Sequence, residues 1–267
     1  MSFVERYGPW AVITGASEGT GRAFARKIAS NGVPCLLIAR RAAPLAALVE
    51  EIRSESGVSC ATAAIDLTSP EAAHQIIAAA GAREVGLFVS NAGADTHGAR
   101  FLERDLDTWL DHVRLNVITT LSCSHHFGRL MRARGRGGLL LVNSGACYGG
   151  ASFMAAYSAS KAFALNFGES LWAELRPHGV DVLNLVLGRT DTPAFRALLA
   201  EKGLPVPPGL ASPEEVAEIG LARLTQGPVH NWGLEDDVAG YAPSSAAARR
   251  SRILAIDVAT QKIYGHQ

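Results

Sequence analysis

A chain of 267 residues, 48% of them hydrophobic, has the length and apolar content for one large α/β domain. Its 25 basic residues balance 25 acidic ones, and no basic stretch is interleaved with aromatics, which argues against nucleic acid as the main partner. No apolar run approaches the ~18 residues of a membrane span, and Met1-Ser-Phe-Val-Glu-Arg is too short and too charged for a secretory signal, so a cytoplasmic protein without a membrane span is expected.

The first predicted element is a strand. Trp10-Ala-Val-Ile-Thr14 is a short apolar run with β-branched residues, the pattern of a buried strand. Gly15-Ala-Ser17-Glu18-Gly19-Thr20-Gly21 follows, and then Phe24, Ala25, Ile28 and Ala29 fall at helical spacing until Asn31-Gly32 stops the helix. Strand, glycine-rich turn and helix start form the setting of a dinucleotide site, in which backbone N–H groups approach a pyrophosphate at the helix N-terminus. Gly15, Ser17, Glu18, Gly19, Thr20 and Gly21 are therefore candidate cofactor residues. The spacing is G-x-x-x-G-x-G. A loop glycine cluster without a ligand is the alternative, and the flanking strand and helix weigh against it.

The second strand, Cys35–Ala39, ends at Arg40 and Arg41, with no Asp or Glu from residue 22 to 47. An acidic residue there would bond the adenosine ribose hydroxyls, whereas a guanidinium fork suits a 2′-phosphate. The pattern points to NADP(H) in preference to NAD(H). Capping of the next helix on a wet surface competes with this reading, more strongly for Arg41 than for Arg40.

Further strands are predicted near 59–65, 84–90, 137–143 and 180–187, and helices near 19–31, 42–56, 69–80, 104–134 and 153–176. The alternation predicts a single doubly wound, Rossmann-type α/β domain over residues 1–267, a central parallel sheet with helices on both faces. Four cysteines, Cys35, Cys60, Cys123 and Cys147, lack C-x-x-C spacing and read as reduced and mostly buried. Neighbours such as His125-His126 and Asp236-Asp237 point to different sides of an element, so no metal site is expected. Arg132–Arg136 and Ala246–Arg252 read as solvated basic faces.

Ser144 closes an apolar run, and Tyr157 and Lys161 follow four residues apart, on one face of a helix. A phenol with a pKa of about 10 is a poor acid–base catalyst at neutral pH. A neighbouring ammonium favours the phenolate and draws that value down, and Ser144 could hold a substrate oxygen beside it. Alone, such a pair is usually a surface tyrosine beside a solvated lysine; a nearby hydride carrier gives it chemical meaning.

These pieces together resemble the short-chain dehydrogenase/reductase family, single-domain type, over roughly residues 8 to 195. Thr14–Gly21 is similar to its cofactor motif, Asp66-Leu67 to the acidic site that contacts adenine, and Ser90-Asn91-Ala92-Gly93 to its Asn-Ala-Gly motif. The resemblance implies that Ser144, Tyr157 and Lys161 are catalytic, and that Asn116 keeps a water and the lysine in a proton relay. It further implies that Tyr157 and Lys161 also meet the cofactor, that Gly188, Thr190 and Thr192 meet the nicotinamide end, and that a homodimer or homotetramer forms through the two long helices. Two positions depart from the family pattern. Thr20 stands where an apolar residue is usual, and Leu187-Gly188 stands for Pro-Gly, which predicts a looser loop.

The expected activity is NADP(H)-dependent interconversion of a hydrophobic ketone or aldehyde and its alcohol. Phe101, Cys147, Tyr148, Phe153, Met154, Phe195, Leu198, Leu199 and Leu204, from Gly93–Arg104, Gly145–Met154 and Gly188–Ala211, suggest an apolar pocket for a small hydrophobic substrate. His97 and Arg100 suit a polar or acyl-carrier substrate instead. Residues 188–211, with Pro205, Pro207 and Pro208, read as a lid or a plain connection. The tail, 225–267, diverges from the family and carries Trp232, Tyr241 and a helical pattern through Ile253, Ile256, Val258 and Ile263. A 3-oxoacyl thioester reductase and a non-catalytic NADP(H)-sensing regulator are the alternatives; the complete Ser144, Tyr157, Lys161 and Asn116 set disfavours the regulator.

Overall fold

The computed structural model describes residues 1–93, 98–232, 258 and 262. In chain order it runs α1 (Phe3–Tyr7), β1 (Trp10–Thr14), α2 (Gly19–Ser30), β2 (Cys35–Ala39), α3 (Ala42–Ser56), β3 (Ala61–Ala64), α4 (Ala72–Ala80) and β4 (Val85–Ser90). There follow α5 (Leu106–Val113), α6 (Thr119–Arg134), β5 (Gly137–Ser144), α7 (Ala155–Leu175), β6 (Val180–Leu187), α8 (Pro193–Glu201), α9 (Pro213–Arg223) and β7 (Val229–Trp232). The strands form one parallel sheet in the order β3-β2-β1-β4-β5-β6-β7. The order reverses between β1 and β4, and the crevice at their carboxyl ends is where this topology places a ligand.

Alternation along the strands builds a core on each face. Ala11, Ile13 and Leu37 point to one side, against Phe24 and Ile28 of α2, Leu45 of α3 and Val216 of α9. Val12, Leu36 and Ile38 point to the other, against Ile76 of α4 and Phe127 and Met131 of α6. Because both faces are covered, β1, β2 and β4 read as unbroken apolar runs.

Several predicted boundaries shift. The strand expected at 59–65 spans Ala61–Ala64, and the helix expected from 69 begins at Ala72. The long helix expected at 104–134 is α5 and α6 joined through a π-helical turn at Arg114–Ile118. Residues 188–211 are not plain loop, since α8 lies within them. Sequence periodicity passes over α1, α9 and β7. Both α1 and α9 carry capping boxes, Ser2 with Glu5 and Ser212 with Glu215, each satisfying two helix-end N–H groups.

The Arg132–Arg136 run is not simply a solvated face. Arg134 donates to the Val85 carbonyl and pairs with Glu84. Arg136 donates to the Glu5 carbonyl at 2.9 Å and to Glu84 at 2.5 Å, tying the end of α6 to α1 and β4. All four cysteines are free thiols. Among the described residues no helix is long and apolar enough to cross a membrane, and no cluster of three or more potential metal ligands occurs. His97, Asp236-Asp237, Tyr241, Ala246–Arg252, Ile253, Ile256 and Ile263 lie outside the described residues.

Candidate active site

The nucleotide end is made mainly of backbone. Gly15 and Gly19 adopt φ of +67° and +53°, the left-handed region that favours glycine. A Cβ on Gly21 would collide with the Gly15 carbonyl oxygen, so the turn closes only with glycine there. Glu18 caps α2 without a side-chain hydrogen bond, which leaves first-turn N–H groups available to an anion.

Asn91, at the end of β4, locks this turn. Its Nδ2 donates to the Thr14 and Gly15 carbonyls at 3.1 and 3.2 Å, and its Oδ1 accepts from Thr20 Oγ1 at 2.7 Å. The amides of Asn91 and Ala92 donate to Thr14 Oγ1 at 3.1 and 3.2 Å. The Thr20 departure therefore has a physical account: its hydroxyl completes the bonding of Asn91. A Cβ on Gly19 would meet the Thr192 methyl at 3.2 Å, which brings the loop after β6 onto the glycine turn. Gly15, Thr20 and Gly21 thus pack against Asn91, with Ala92 beside Gly15 and Thr192 beside Gly19; Ser17 and Glu18 belong to the same turn.

Arg40 and Arg41 lie at the end of β2, both exposed. Arg41 pairs with Glu18 at 2.9 Å, whereas Arg40 makes no ion pair among the described residues. Asp66 accepts from the Thr68 amide and hydroxyl at 3.0 and 2.9 Å. That amide chiefly holds the Asp66 carboxyl below its usual value; burial opposes it, and the Thr68 hydroxyl and the Arg40 charge add smaller lowering effects. The Leu67 carbonyl accepts from Thr119 Oγ1 at 3.5 Å, joining this edge to α6. The residues fit NADP(H): a glycine cradle that a Cβ would fill, an uncapped helix start, and the exposed Arg40 guanidinium at the end of β2.

The proton end is made of side chains. Asn116 sits in the π-helical turn, 5% exposed, with Nδ2 donating to the His112 carbonyl at 3.1 Å. Its buried Oδ1 has no hydrogen-bond partner among the described residues. Gly93, at φ +149°, faces it: a Cβ there would clash with Asn116 Oδ1 and lie 3.0 Å from Lys161 Nζ. An amide oxygen and an ammonium therefore converge on one point, which a water would satisfy. Lys161 is 6% exposed, donates to the Val142 carbonyl at 3.2 Å, and lies 5.7 Å from the centre of the Tyr157 ring. Burial pushes its pKa down to about 8, with a nearby Cys147 acting weakly in the other direction. The Tyr157 ring meets the His112 ring edge-on at 5.9 Å.

Ser144 ends β5 and caps the short 3-10 turn Gly145–Tyr148; its Oγ accepts from the Ala146 amide at 3.3 Å. The hydroxyl hydrogen stays available to a substrate oxygen. Ser144, Tyr157, Lys161, Gly188, Thr190 and Thr192 line one cleft of about 680 Å³, together with Thr20, Asn91 and Gly93. The missing proline does not leave the loop after β6 loose. Gly188 N–H donates to the Trp232 carbonyl at 2.9 Å and Asp191 N–H to Ala211 at 2.9 Å, while Thr192 caps α8 and Asp191 pairs with Arg196.

Of the expected apolar wall, Met154, Phe195 and Leu198 line the cleft. Phe101 instead stacks on Trp109, the Tyr148 hydroxyl donates to Asn231, and Phe153 lies under the Arg100 guanidinium at 5.2 Å. Among the polar lining residues, Asn143 lies outside the segments expected to close the pocket, and Arg189 and Glu201 lie within 188–211 without having been singled out. Asn143 carries a readable signal, a polar residue in an apolar strand. Glu201 carries none, because α8 is not predicted.

A family model described as short chain dehydrogenase matches residues 9–203. The chain is 33% identical to a 7beta-hydroxysteroid dehydrogenase of Collinsella aerofaciens over 84% of this chain and 86% of that protein. A solved structure from work on 7beta-hydroxysteroid dehydrogenase stereoselectivity superposes with a TM-score of 0.87 at 28% identity, covering 96% of this chain and 99% of that one. A short-chain dehydrogenase from Sphingobium yanoikuyae in complex with NADPH gives 0.77 at 26% identity, covering 97% and 96%.

Proposed function

The chain belongs to the short-chain dehydrogenase family, and from that premise we propose that it interconverts a bulky hydrophobic ketone and its alcohol with NADP(H). The observation that carries this reading is the convergence of Ser144, Tyr157 and Lys161 on one cleft, with Asn116 behind them. Similarity to a hydroxysteroid dehydrogenase and the apolar wall of Met154, Phe195 and Leu198 favour a fused-ring or comparably bulky substrate. Similarity to a structure in complex with NADPH, together with Arg40 and the lack of an acidic residue at the end of β2, favours NADP(H).

NADP(H), when bound, supplies or accepts the hydride. Gly15, Ser17, Glu18, Gly19, Thr20 and Gly21 would hold its pyrophosphate. Arg40 and Arg41 would meet the 2′-phosphate, Asp66 and Leu67 the adenine, and Asn91, Ala92 and Gly93 the adjoining ribose side. Gly188, Thr190 and Thr192 would hold the nicotinamide end. Ser144 donates its hydroxyl hydrogen to the substrate oxygen. Tyr157 gives a proton to that oxygen in reduction and removes it in oxidation. The Lys161 ammonium favours the phenolate form of Tyr157 and would hold the nicotinamide ribose. Asn116 Oδ1 holds the water through which Lys161 exchanges its proton with solvent.

Residues 188–211 act as the lid on this reading, because Phe195 and Leu198 of α8 face the cleft. The protein would work as a cytoplasmic homodimer or homotetramer. Its four free thiols suit a reducing compartment, and α6 and α7 present exposed Leu121 and Leu130 and the stacked rings of Phe163 and Phe167.

Turnover of a ketone panel with NADPH and NADH tests the proposal. Steroid and aromatic ketones should be reduced, with NADPH preferred. Reduction of 3-oxoacyl thioesters alone would move the substrate class, and NADPH binding without turnover of any ketone would make the chain a sensor.

A further inference from the structure

Asn143 interrupts an otherwise apolar strand, yet it is only 3% exposed. Both ends of its carboxamide are engaged. Oδ1 accepts from the Ser144 amide at 2.8 Å, and Nδ2 donates to the Lys161 carbonyl at 3.1 Å. One residue earlier, the Val142 carbonyl accepts from Lys161 Nζ. Val142, Asn143 and Ser144 therefore each fix or supply part of the proton machinery. A carbonyl has two lone pairs, so Lys161 can accept from Asn143 and keep its helical bond.

The neighbouring strand repeats the contact one helical turn later. Asn184 of β6, fully buried, donates Nδ2 to the Leu165 carbonyl of α7 at 3.2 Å. Gly168 makes room for it, since a Cβ there would collide with Asn184 Nδ2. Leu141 and Asn184 are register partners across β5 and β6. Two buried carboxamides thus reach successive turns of α7, the helix that carries Tyr157 and Lys161. The two differ in one respect: Asn143 also binds Ser144 and lines the cleft, whereas Asn184 does neither.

We propose that Asn143 is a positioning residue for the reaction, setting the Ser144 hydroxyl against Tyr157 and Lys161 by tying the end of β5 to the backbone of α7. The tether joins the end of β5 to α7 directly, across a connection, residues 149–154, that is irregular and has Phe153 at φ +66°. A misplacement of about 1 Å at a reacting group costs on the order of a hundredfold in rate. The proposal rests on the reading of Ser144, Tyr157 and Lys161 as the reacting set.

The test compares full-length Asn143→Ala, Asn143→Leu and Asn184→Ala with the parent and with Tyr157→Phe. The readouts are kcat, NADPH affinity by fluorescence, melting temperature, and the pH dependence of alcohol oxidation. Asn143→Leu keeps the volume while removing both bonds, so its fold should survive if Asn143→Ala fails. Both Asn143 variants should lose roughly 10- to 100-fold in kcat with NADPH affinity within about twofold. Their oxidation limb should move to higher pH as the ammonium no longer sits against the phenol. Asn184→Ala should melt lower, with kcat within about threefold and the limb unmoved. Parent-like kcat and pH limb in a folded Asn143 variant would overturn the proposal. So would losses that follow the melting temperature alone, as in Asn184→Ala. Retained turnover in Tyr157→Phe would defeat the reading of the site itself, whatever Asn143 does.

Discussion

The two ends of the cleft solve opposite problems. The nucleotide end uses backbone donors and the absence of Cβ atoms, held by Asn91, whose carboxamide oxygen and nitrogen are both engaged. The proton end keeps an ammonium 6% exposed and a buried amide oxygen without a partner among the described residues. The first arrangement is close to structurally neutral. The second costs stability, because burying a charge disfavours its charged form. The stability cost of this fold's chemistry is concentrated where β5 meets α7.

The largest effect that would break the comparison is at the nucleotide end. Gly21→Ala places a methyl against the Gly15 carbonyl and should abolish NADPH binding, measured by fluorescence titration. Binding within tenfold of the parent would mean that the turn has slack it does not display.

At the proton end, Lys161→Met should lower turnover by about a hundredfold while raising the melting temperature at pH 7. The lysine's folded pKa of about 8 lies below its ordinary value of 10.5, so keeping it charged at neutral pH costs on the order of 3 kcal/mol. Between about pH 8 and 10.5 the unfolded chain binds more protons than the folded one, and this group makes stability rise with pH across that window. The rise should be absent in Lys161→Met. A lower melting temperature for the variant at pH 7 would show that the ammonium is not a burden.

A smaller effect sharpens the division within the nucleotide end. Arg40→Ala should raise the KM for NADPH roughly tenfold, the scale of one charge-assisted contact, and leave the KM for NADH unchanged. Equal changes for both would remove Arg40 from the 2′-phosphate site.

Legibility in the sequence follows the same division. Gly15, Gly19 and Gly21 between a buried strand and an amphipathic helix carry the nucleotide end in plain spacing, and the apolar runs of β1, β2 and β4 need no tertiary context. Tyr157 and Lys161 declare one helix face. What stays hidden depends on neighbours distant in the chain. A π-helical turn inserts no marker into the periodicity of 104–134. β7 is an edge strand with His230 and Asn231, too polar to stand out. Arg134 and Arg136 look solvated until α1 and Glu84 are placed beside them. The capping boxes at Ser2 and Ser212 were written in the sequence, but α1 is only five residues long, and α9 follows a proline-rich stretch that reads as loop.

The central claim is that the Tyr157 hydroxyl carries the proton. Single-turnover reduction of a bulky ketone by Tyr157→Phe, beside an NADPH titration of the same variant, tests it most directly. Cofactor binding should stay within a few-fold of the parent while the rate falls by roughly a hundredfold or more. A near-parental rate would contradict the claim.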